Sequence, residues 1–149
     1  MDYFTLKYLH FLGIFGIVGG LFAQLWMVTS TLTREQIKVV AKIDGIYGVG
    51  SIVAVAAGLT LWLGEIGKSP EFYTSHGLIY WKLGILSVVG VLSIYPTLFF
   101  ARNKTSKKNP QGDEVISIPK LIIWIIRIEL LLIVPMPWIA SRMAAGLSF

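Results

Sequence analysis

Residues 78–101 read LIYWKLGILSVVGVLSIYPTLFFA, an apolar run in which Lys82 is the one charged side chain. A bilayer core about 30 Å thick is crossed by about 20 mostly apolar residues in helical conformation. Similar runs lie at 5–29, 43–64 and 118–145. In a chain of 149 residues, these runs leave short connections and no separate soluble domain. The sequence therefore predicts one all-α domain, 1–149, an integral membrane four-helix bundle.

Composition agrees with a chain that sits in lipid. Hydrophobic residues make up 55% of the sequence and charged residues 14%. The absence of cysteine excludes disulfides, thiolate metal sites and cysteine nucleophiles. A net charge of +5 would suit nucleic acid, but the basic residues cluster beside the apolar runs, where they orient the chain and contact anionic lipid. We expect the lipid bilayer as partner, and no nucleic acid.

The second helix has a defined start. Thr33 followed by Gln36 has the spacing of a capping box, so the helix should begin well before its apolar run at 43–64. Gly64 and the following Gly67 and Pro70 should end it.

Basic residues are distributed unevenly between the connections. Those of the first and third connections are Arg34, Lys38, Lys42, Arg102, Lys104, Lys107, Lys108 and Lys120. The second connection holds Lys68 alone. Because cytoplasmic connections are enriched in Lys and Arg, the pattern predicts an up-down-up-down bundle with both termini and residues 65–77 outside. A multi-pass protein of the bacterial inner membrane fits this pattern.

Small residues recur at helical spacing on the first two runs, where they would let two backbones approach closely in lipid. They are Gly13, Gly16, Gly19 and Gly20, then Gly48, Ser51, Ala54, Ala57 and Gly58. The sequence predicts tight packing between the first two spans.

A layer of polar residues is predicted in the cytoplasmic half of the membrane. Its members are Gln24, Asp44, Tyr47, Tyr95, Thr97, Arg127 and Glu129. An ionisable group at this depth costs about 2.5–3.5 kcal/mol and needs a partner, so we expect Asp44 to pair with Arg127. Glu129 is deepest and about 200° around the helix from Arg127, so it needs another partner. A structural clamp and a fragment of a transport pathway are both compatible with this layer.

A second polar layer is predicted in the outer leaflet. At about 1.5 Å per residue, His10 and Lys82 lie roughly 8 and 6 Å inside the starts of their spans, at a shared level close to Arg142. A neutral imidazole on a membrane helix is a haem ligand, and Lys82 or Arg142 could ligate the iron or hold propionates. The alternative for His10 is a hydrogen-bonded interfacial side chain. Glu65, Glu71 and His76 match no metal-ligand spacing.

Several strings resemble a family of bacterial predicted membrane proteins that carries a domain-of-unknown-function label (DUF2214-like). They include DGIYG at 44–48, SIYPT at 93–97 and SRMAAG at 141–146. The resemblance covers nearly the whole chain and implies a membrane protein without an assigned activity.

Two shorter strings resemble the haem-binding membrane protoporphyrinogen oxidase family. KYLH at 7–10 is similar to a Lys-x-Leu-His pattern of that family, and YWKL at 80–83 to a Trp-x-Lys-Leu-like pattern. The resemblance implies haem b on His10 with Lys82 nearby, and a haem-dependent membrane oxidoreductase that transfers electrons or oxidises porphyrin. No catalytic residue is assigned.

A second hypothesis is a non-enzymatic membrane subunit or small-solute carrier. In that case the buried polar residues are structural, and the partners are further copies of the chain or a membrane complex.

Overall fold

Helices dominate the residues that the computed structural model describes, which are 1–75, 77–105 and 114–147. The elements in chain order are α1 (Tyr3–Met27), β1 (Thr31–Thr33), α2 (Arg34–Leu63), α3 (Pro70–Thr74), α4 (Leu78–Asn103), β2 (Val115–Ser117), α5 (Lys120–Ile133) and α6 (Met136–Ala144). The all-α class predicted from the sequence is confirmed.

In the described part of the chain, four helical segments are long and apolar enough to cross a membrane. They are Tyr3–Met27, Arg34–Leu63, Leu78–Asn103 and Lys120–Ala144. The last segment consists of α5 and α6, which meet at Val134 and Pro135. Pro135 and Pro137 lack backbone N–H groups, so hydrogen bonding is interrupted at this point of the fourth segment. Pro96, by contrast, lies buried inside an uninterrupted α4.

The start of α2 follows the predicted capping box. Thr33 Oγ1 accepts a hydrogen bond from the Gln36 N–H at 3.3 Å, and Gln36 Oε1 accepts one from the Thr33 N–H at 2.8 Å. The two side chains satisfy N–H groups that the first turn of a helix leaves unpaired. At the other end, Gly64 is the C-cap, as its position in the sequence indicated.

The helices α1 and α2 make the closest helix contact in the described chain. A Cβ atom at Gly13 would lie 2.5 Å from the Ala54 nitrogen, and one at Gly20 would lie 2.8 Å from the Tyr47 Cβ. Residues later in α1 contact residues earlier in α2, since Gly13 lies against Ala54 and Gly20 against Tyr47, so the two helices run antiparallel. The tight packing predicted for the first two spans is confirmed.

A short two-stranded sheet closes one end of the bundle, and the sequence analysis did not predict it. Antiparallel β1 and β2 pair Thr31 with Ser117 and Thr33 with Val115. The sheet therefore joins the α1–α2 connection to the chain that enters α5.

Arg34, the first residue of α2, reinforces this closure. It is 7% exposed, donates to the Asn103 carbonyl at 2.7 Å and forms an ion pair with Glu114. The same side chain thus holds the end of α4 and the start of β2 against α2. Lys107 and Lys108 of this connection lie outside the described residues.

The apolar interior is divided along the bundle. A larger cluster lies toward the sheet and includes the fully buried Ile37, Phe100 and Ile122. A smaller cluster joins α4 to α6 through Leu78, Ile79, Ile139 and Met143. Many large apolar side chains point outward, among them Phe4, Phe15, Trp26, Val91 and Leu131. An apolar outer surface of this kind is what lipid requires.

Candidate functional site

His10 is held in one orientation by α2. Its Nδ1 atom lies 2.7 Å from the Ala54 carbonyl oxygen. A carbonyl oxygen can only accept, so Nδ1 carries the proton and donates it, and in the neutral ring Nε2 keeps its lone pair. The ring lies against Gly58, where a Cβ atom would come within 3.0 Å of Cε1. The small residue at 58 therefore makes room for the imidazole.

Lys82 of α4 approaches His10 from across the bundle. The two side chains are close enough to interact electrostatically, although they belong to different spans. Lys82 is partly buried, and in the described parts of the chain its ammonium group forms no hydrogen bond or ion pair. The structure thus brings together two residues that the sequence analysis placed at one depth.

Arg142 lies on α6, at the same end of the molecule. Its guanidinium carbon is 5.2 Å from the centre of the Trp138 ring, and the side chain is half-buried. Arg142 is adjacent in the chain to Met143, which belongs to the smaller apolar cluster. Of the three residues predicted for the outer site, His10 and Lys82 are near enough to interact electrostatically.

A second polar cluster lies nearer the sheet. Gln24 Nε2 of α1 donates to Asp44 Oδ1 of α2 at 3.2 Å, and the two residues are 2% and 7% exposed. The Thr97 side chain of α4 makes a polar contact with the same carboxylate. Three spans therefore meet at Asp44.

Glu129 brings the fourth span into this cluster. It is 2% exposed, and its Oε1 has no hydrogen-bond partner among the described residues. Its carboxyl group interacts electrostatically with Asp44 and with the Tyr47 hydroxyl, which also contacts Ser93. Every segment long enough to span the membrane thus contributes a polar side chain to the cluster.

The predicted pairing of Asp44 with Arg127 is wrong. Arg127 is exposed, and its guanidinium carbon lies 5.5 Å from the centre of the Trp124 ring on the same helix. Because Arg127 and Glu129 are two residues apart on α5, they point to nearly opposite sides, and Glu129 occupies the inner one. The ionisable group near Asp44 is therefore the second carboxyl group of Glu129 and not the predicted cation.

Membership of the cluster differs from the prediction at three positions. Of the residues predicted for it, Gln24, Asp44, Tyr47, Thr97 and Glu129 meet. Tyr95 is 44% exposed and, like Arg127, lies outside it. Ser93, which the sequence analysis did not single out, joins through Tyr47. The sequence could have indicated Ser93 through its spacing from Thr97, because residues four apart lie on the same face of a helix.

Ligand chemistry distinguishes the two polar layers. Among residues 1–75, 77–105 and 114–147, no group of three His, Cys, Asp or Glu could hold a metal ion. A haem iron has a different requirement, because the porphyrin supplies four of its ligands and the protein adds one or two. Of the loop residues Glu65, Glu71 and His76, the first two belong to the described part of the chain and His76 lies outside it.

A family model described as a predicted membrane protein, DUF2214, matches residues 3–148. The chain belongs to this family. The DUF2214 resemblance drawn from the sequence strings is thereby confirmed, and the four apolar helices agree with the family description. No curated protein and no solved structure matches the chain. DUF2214 membership establishes a membrane protein and leaves its activity to be argued from the residues.

Proposed function

We propose that this DUF2214 protein binds haem b in the outer leaflet, with His10 as axial ligand and Lys82 beside it. The role would be that of a haem-dependent membrane oxidoreductase, in electron transfer or porphyrin oxidation. Bound haem b supplies one-electron redox chemistry. The chain's own contribution is to orient the ligand and to place positive charge near it.

The observation that carries this proposal is the hydrogen bond from His10 Nδ1 to the Ala54 carbonyl, 2.7 Å long. Metal-binding histidines usually donate their second ring N–H to a carbonyl or carboxylate, which fixes the tautomer and raises the basicity of the ligating nitrogen. The bond has this effect at His10, since it leaves the Nε2 lone pair for a ligand. Gly58 supports the same ring orientation.

Lys82 and Arg142 supply the charge that such a site needs. Haem propionates are anionic, and an ammonium or guanidinium group at the same depth can bind them. The Lys82 ammonium group is partly buried and without a hydrogen bond to the described residues, so it has capacity for a ligand. In its neutral form, Lys82 would instead be able to bind the haem iron through its amine nitrogen.

The test is an absorption spectrum of the oxidised and dithionite-reduced protein, purified in mild detergent after expression with a haem precursor. We expect sharp reduced bands near one haem per chain in the natural protein. His10→Ala should lose or shift them, because the axial ligand is removed. The matched control is His76→Ala, which removes the other histidine and should keep the spectrum.

Two results would overturn the proposal. One is a colourless natural protein under conditions that load haem proteins. The other is a His10→Ala spectrum identical to that of the natural protein, since an axial ligand cannot be lost without a spectral change.

A second candidate is a non-enzymatic membrane subunit or small-solute carrier, favoured by the close packing of Gly13 and Gly20 against α2. Such packing builds a rigid bundle without requiring a cofactor. Further copies of the chain or a membrane complex would be its partners. A colourless protein that elutes as a defined oligomer or complex would support this candidate over haem binding.

The spans are proposed to alternate in direction, with both termini outside, in the inner membrane of a bacterium. Two contacts support a shared end for the termini: Tyr3 lies against Gly67, and Lys68 donates to the Ala144 carbonyl at 2.9 Å. The sheet and its neighbouring lysines would then face the cytoplasm, in agreement with the positive-inside rule.

A further inference from the structure

The Glu129 carboxyl group is enclosed by three neighbouring helices. Glu129 interacts electrostatically with Asp44 and Tyr47 of α2. Asp44 in turn contacts Gln24 of α1 and Thr97 of α4, and Tyr47 contacts Ser93 of α4. Gln24 donates to Asp44, whereas Glu129 Oε1 receives no hydrogen bond. Glu129 thus presents an unpartnered oxygen to a cluster that already contains a carboxylate.

Positive charge is missing around this pair. Within the described residues, neither Asp44 nor Glu129 forms an ion pair with Lys, Arg or His. Arg127, the nearest cation along α5, is exposed and stacked on Trp124. Two ionised carboxyl groups at this depth would repel each other and would have little hydration to compensate. The arrangement needs one positive charge from elsewhere.

We propose that Asp44 and Glu129 form a proton-binding site in which this pair of buried carboxyl groups takes up one proton. In the binding step a hydronium ion transfers its proton to one carboxylate oxygen and becomes water. The charge of the pair changes from −2 to −1. Carboxyl groups that interact electrostatically titrate as a unit.

A proton fits this site better than a metal ion does. Hard metal ions bind several oxygen ligands and often retain water, which requires space. Glu129 is 2% exposed, and no group of three acidic, His or Cys residues suitable for a metal ion is present in the described chain. The hydroxyl groups of Tyr47 and Thr97 can donate or accept, so they can stabilise either protonation state of the pair.

Infrared spectroscopy across a pH series tests the proposal, because a protonated carboxyl group absorbs separately from a carboxylate. The proteins compared are the natural chain, Glu129→Gln and the control Glu35→Gln. Glu35 is exposed on α2 and paired with Lys38, so its loss leaves the interior unchanged. At neutral pH we expect a protonated carboxyl absorption in the natural protein and in Glu35→Gln that Glu129→Gln lacks.

Asp44→Asn tests whether the charge of Asp44 contributes to proton binding at Glu129. Without the neighbouring negative charge, Glu129 should release its proton more readily, and the pH at which the absorption is half lost should fall by about one unit. An unchanged midpoint would overturn the role of Asp44 in the site. This arm also decides the question if Glu129→Gln does not give a monodisperse protein.

Two further outcomes would overturn the proposal. One is a natural protein whose spectrum at neutral pH contains no carboxyl absorption that depends on Glu129. The other is loss of that absorption when sodium chloride is raised at constant pH, which would identify a metal ion as the occupant. The site does not rest on haem binding, so His10→Ala should leave the infrared result unchanged.

Discussion

Gly13 lies so close to α2 that a methyl group in its place would meet backbone atoms. The added Cβ would be 2.5 Å from the Ala54 nitrogen and 2.6 Å from the Gly50 carbonyl oxygen. Neither atom can move without displacing α2. The absence of a side chain at 13 is therefore a condition of the helix contact, and through it of the Ala54 carbonyl that orients His10.

We predict that Gly13→Ala lowers the free energy of unfolding by about 2 kcal/mol, because overpacking forces the two backbones apart. Gly19→Ala is the matched control, since a Cβ atom there meets nothing within 4 Å. It should be neutral or stabilising by about 0.5–1 kcal/mol through its higher helix propensity. Reversible unfolding in mixed micelles measures both. Equal stability of the two variants would contradict the close contact.

The glycine pattern of the sequence predicted this contact but not its membership. Gly19 and Gly48 belong to the same small-residue pattern, yet each lies away from the interface, whereas Gly50 lies in it. Spacing alone permits several rotations of a helix about its axis. The rotation is decided by larger neighbours such as Tyr47, whose partners on α4 and α5 come from distant parts of the chain.

The charged residues show the same limit. The sequence indicated that Asp44 and Glu129 both needed partners, because each lies at a depth where an isolated charge is costly. It did not show which side of α5 faces inward. The prediction that Arg127 faces inward gave the wrong partner for Asp44. In the structure, Asp44 accepts a hydrogen bond from Gln24 and interacts electrostatically with Glu129.

At the scale of secondary structure, the short strands and the five-residue helix α3 were the elements that sequence patterns missed. Three-residue strands such as Thr31–Thr33 and Val115–Ser117 are too short to give a clear alternation of apolar and polar residues. Their pairing depends on the helices that bring the two connections together. The apolar runs, by contrast, predict helices from local sequence alone, because lipid requires every backbone group to be paired internally.

We predict that Arg34→Gln destabilises the protein by about 2 kcal/mol, because it removes the guanidinium bonds that join α2 to the end of α4 and to Glu114. The ion-pair contribution is discounted, since the Glu114 side chain is 53% exposed. Arg102→Gln is the control: Arg102 is an exposed residue in the last turn of α4, and the same charge is removed. Thermal unfolding in detergent compares the two.

The outcome separates two roles for Arg34. If it only contributes to the positive charge that orients the chain, both variants should melt at the same temperature. A lower melting temperature for Arg34→Gln alone supports the clamp at the sheet. Hydrogen exchange of the β1 and β2 amides should rise in that variant, because the strands lose their anchor to α4.

At the scale of the whole molecule, charge is concentrated at one end and apolar side chains cover the outside. Lys38, Lys42 and Lys104 lie near the sheet, where they line one pocket together with Glu35. At the other end, Tyr3 lies against Gly67, and Lys68 donates a hydrogen bond to the Ala144 carbonyl. Insertion into a bilayer would keep the basic end on the cytoplasmic side, since moving its lysines across the membrane is costly.

We predict that Ser69→Cys is labelled by a membrane-impermeant maleimide in intact bacterial cells and that Lys104→Cys is labelled only after the cells are opened. The natural chain contains no cysteine, so each variant reports a single position. Both positions are exposed, and they belong to connections at opposite ends of α4. A permeant maleimide, which should label both variants, is the control for reactivity.

The reverse labelling pattern would place the sheet outside, and with it the Asp44–Glu129 pair in the outer half of the membrane. His10 and Lys82 would then lie in the cytoplasmic half. Haem binding and proton binding could each survive that result, because both rest on contacts within the bundle. The orientation proposed from the basic residues could not survive it, and the leaflet assigned to each site would have to be exchanged.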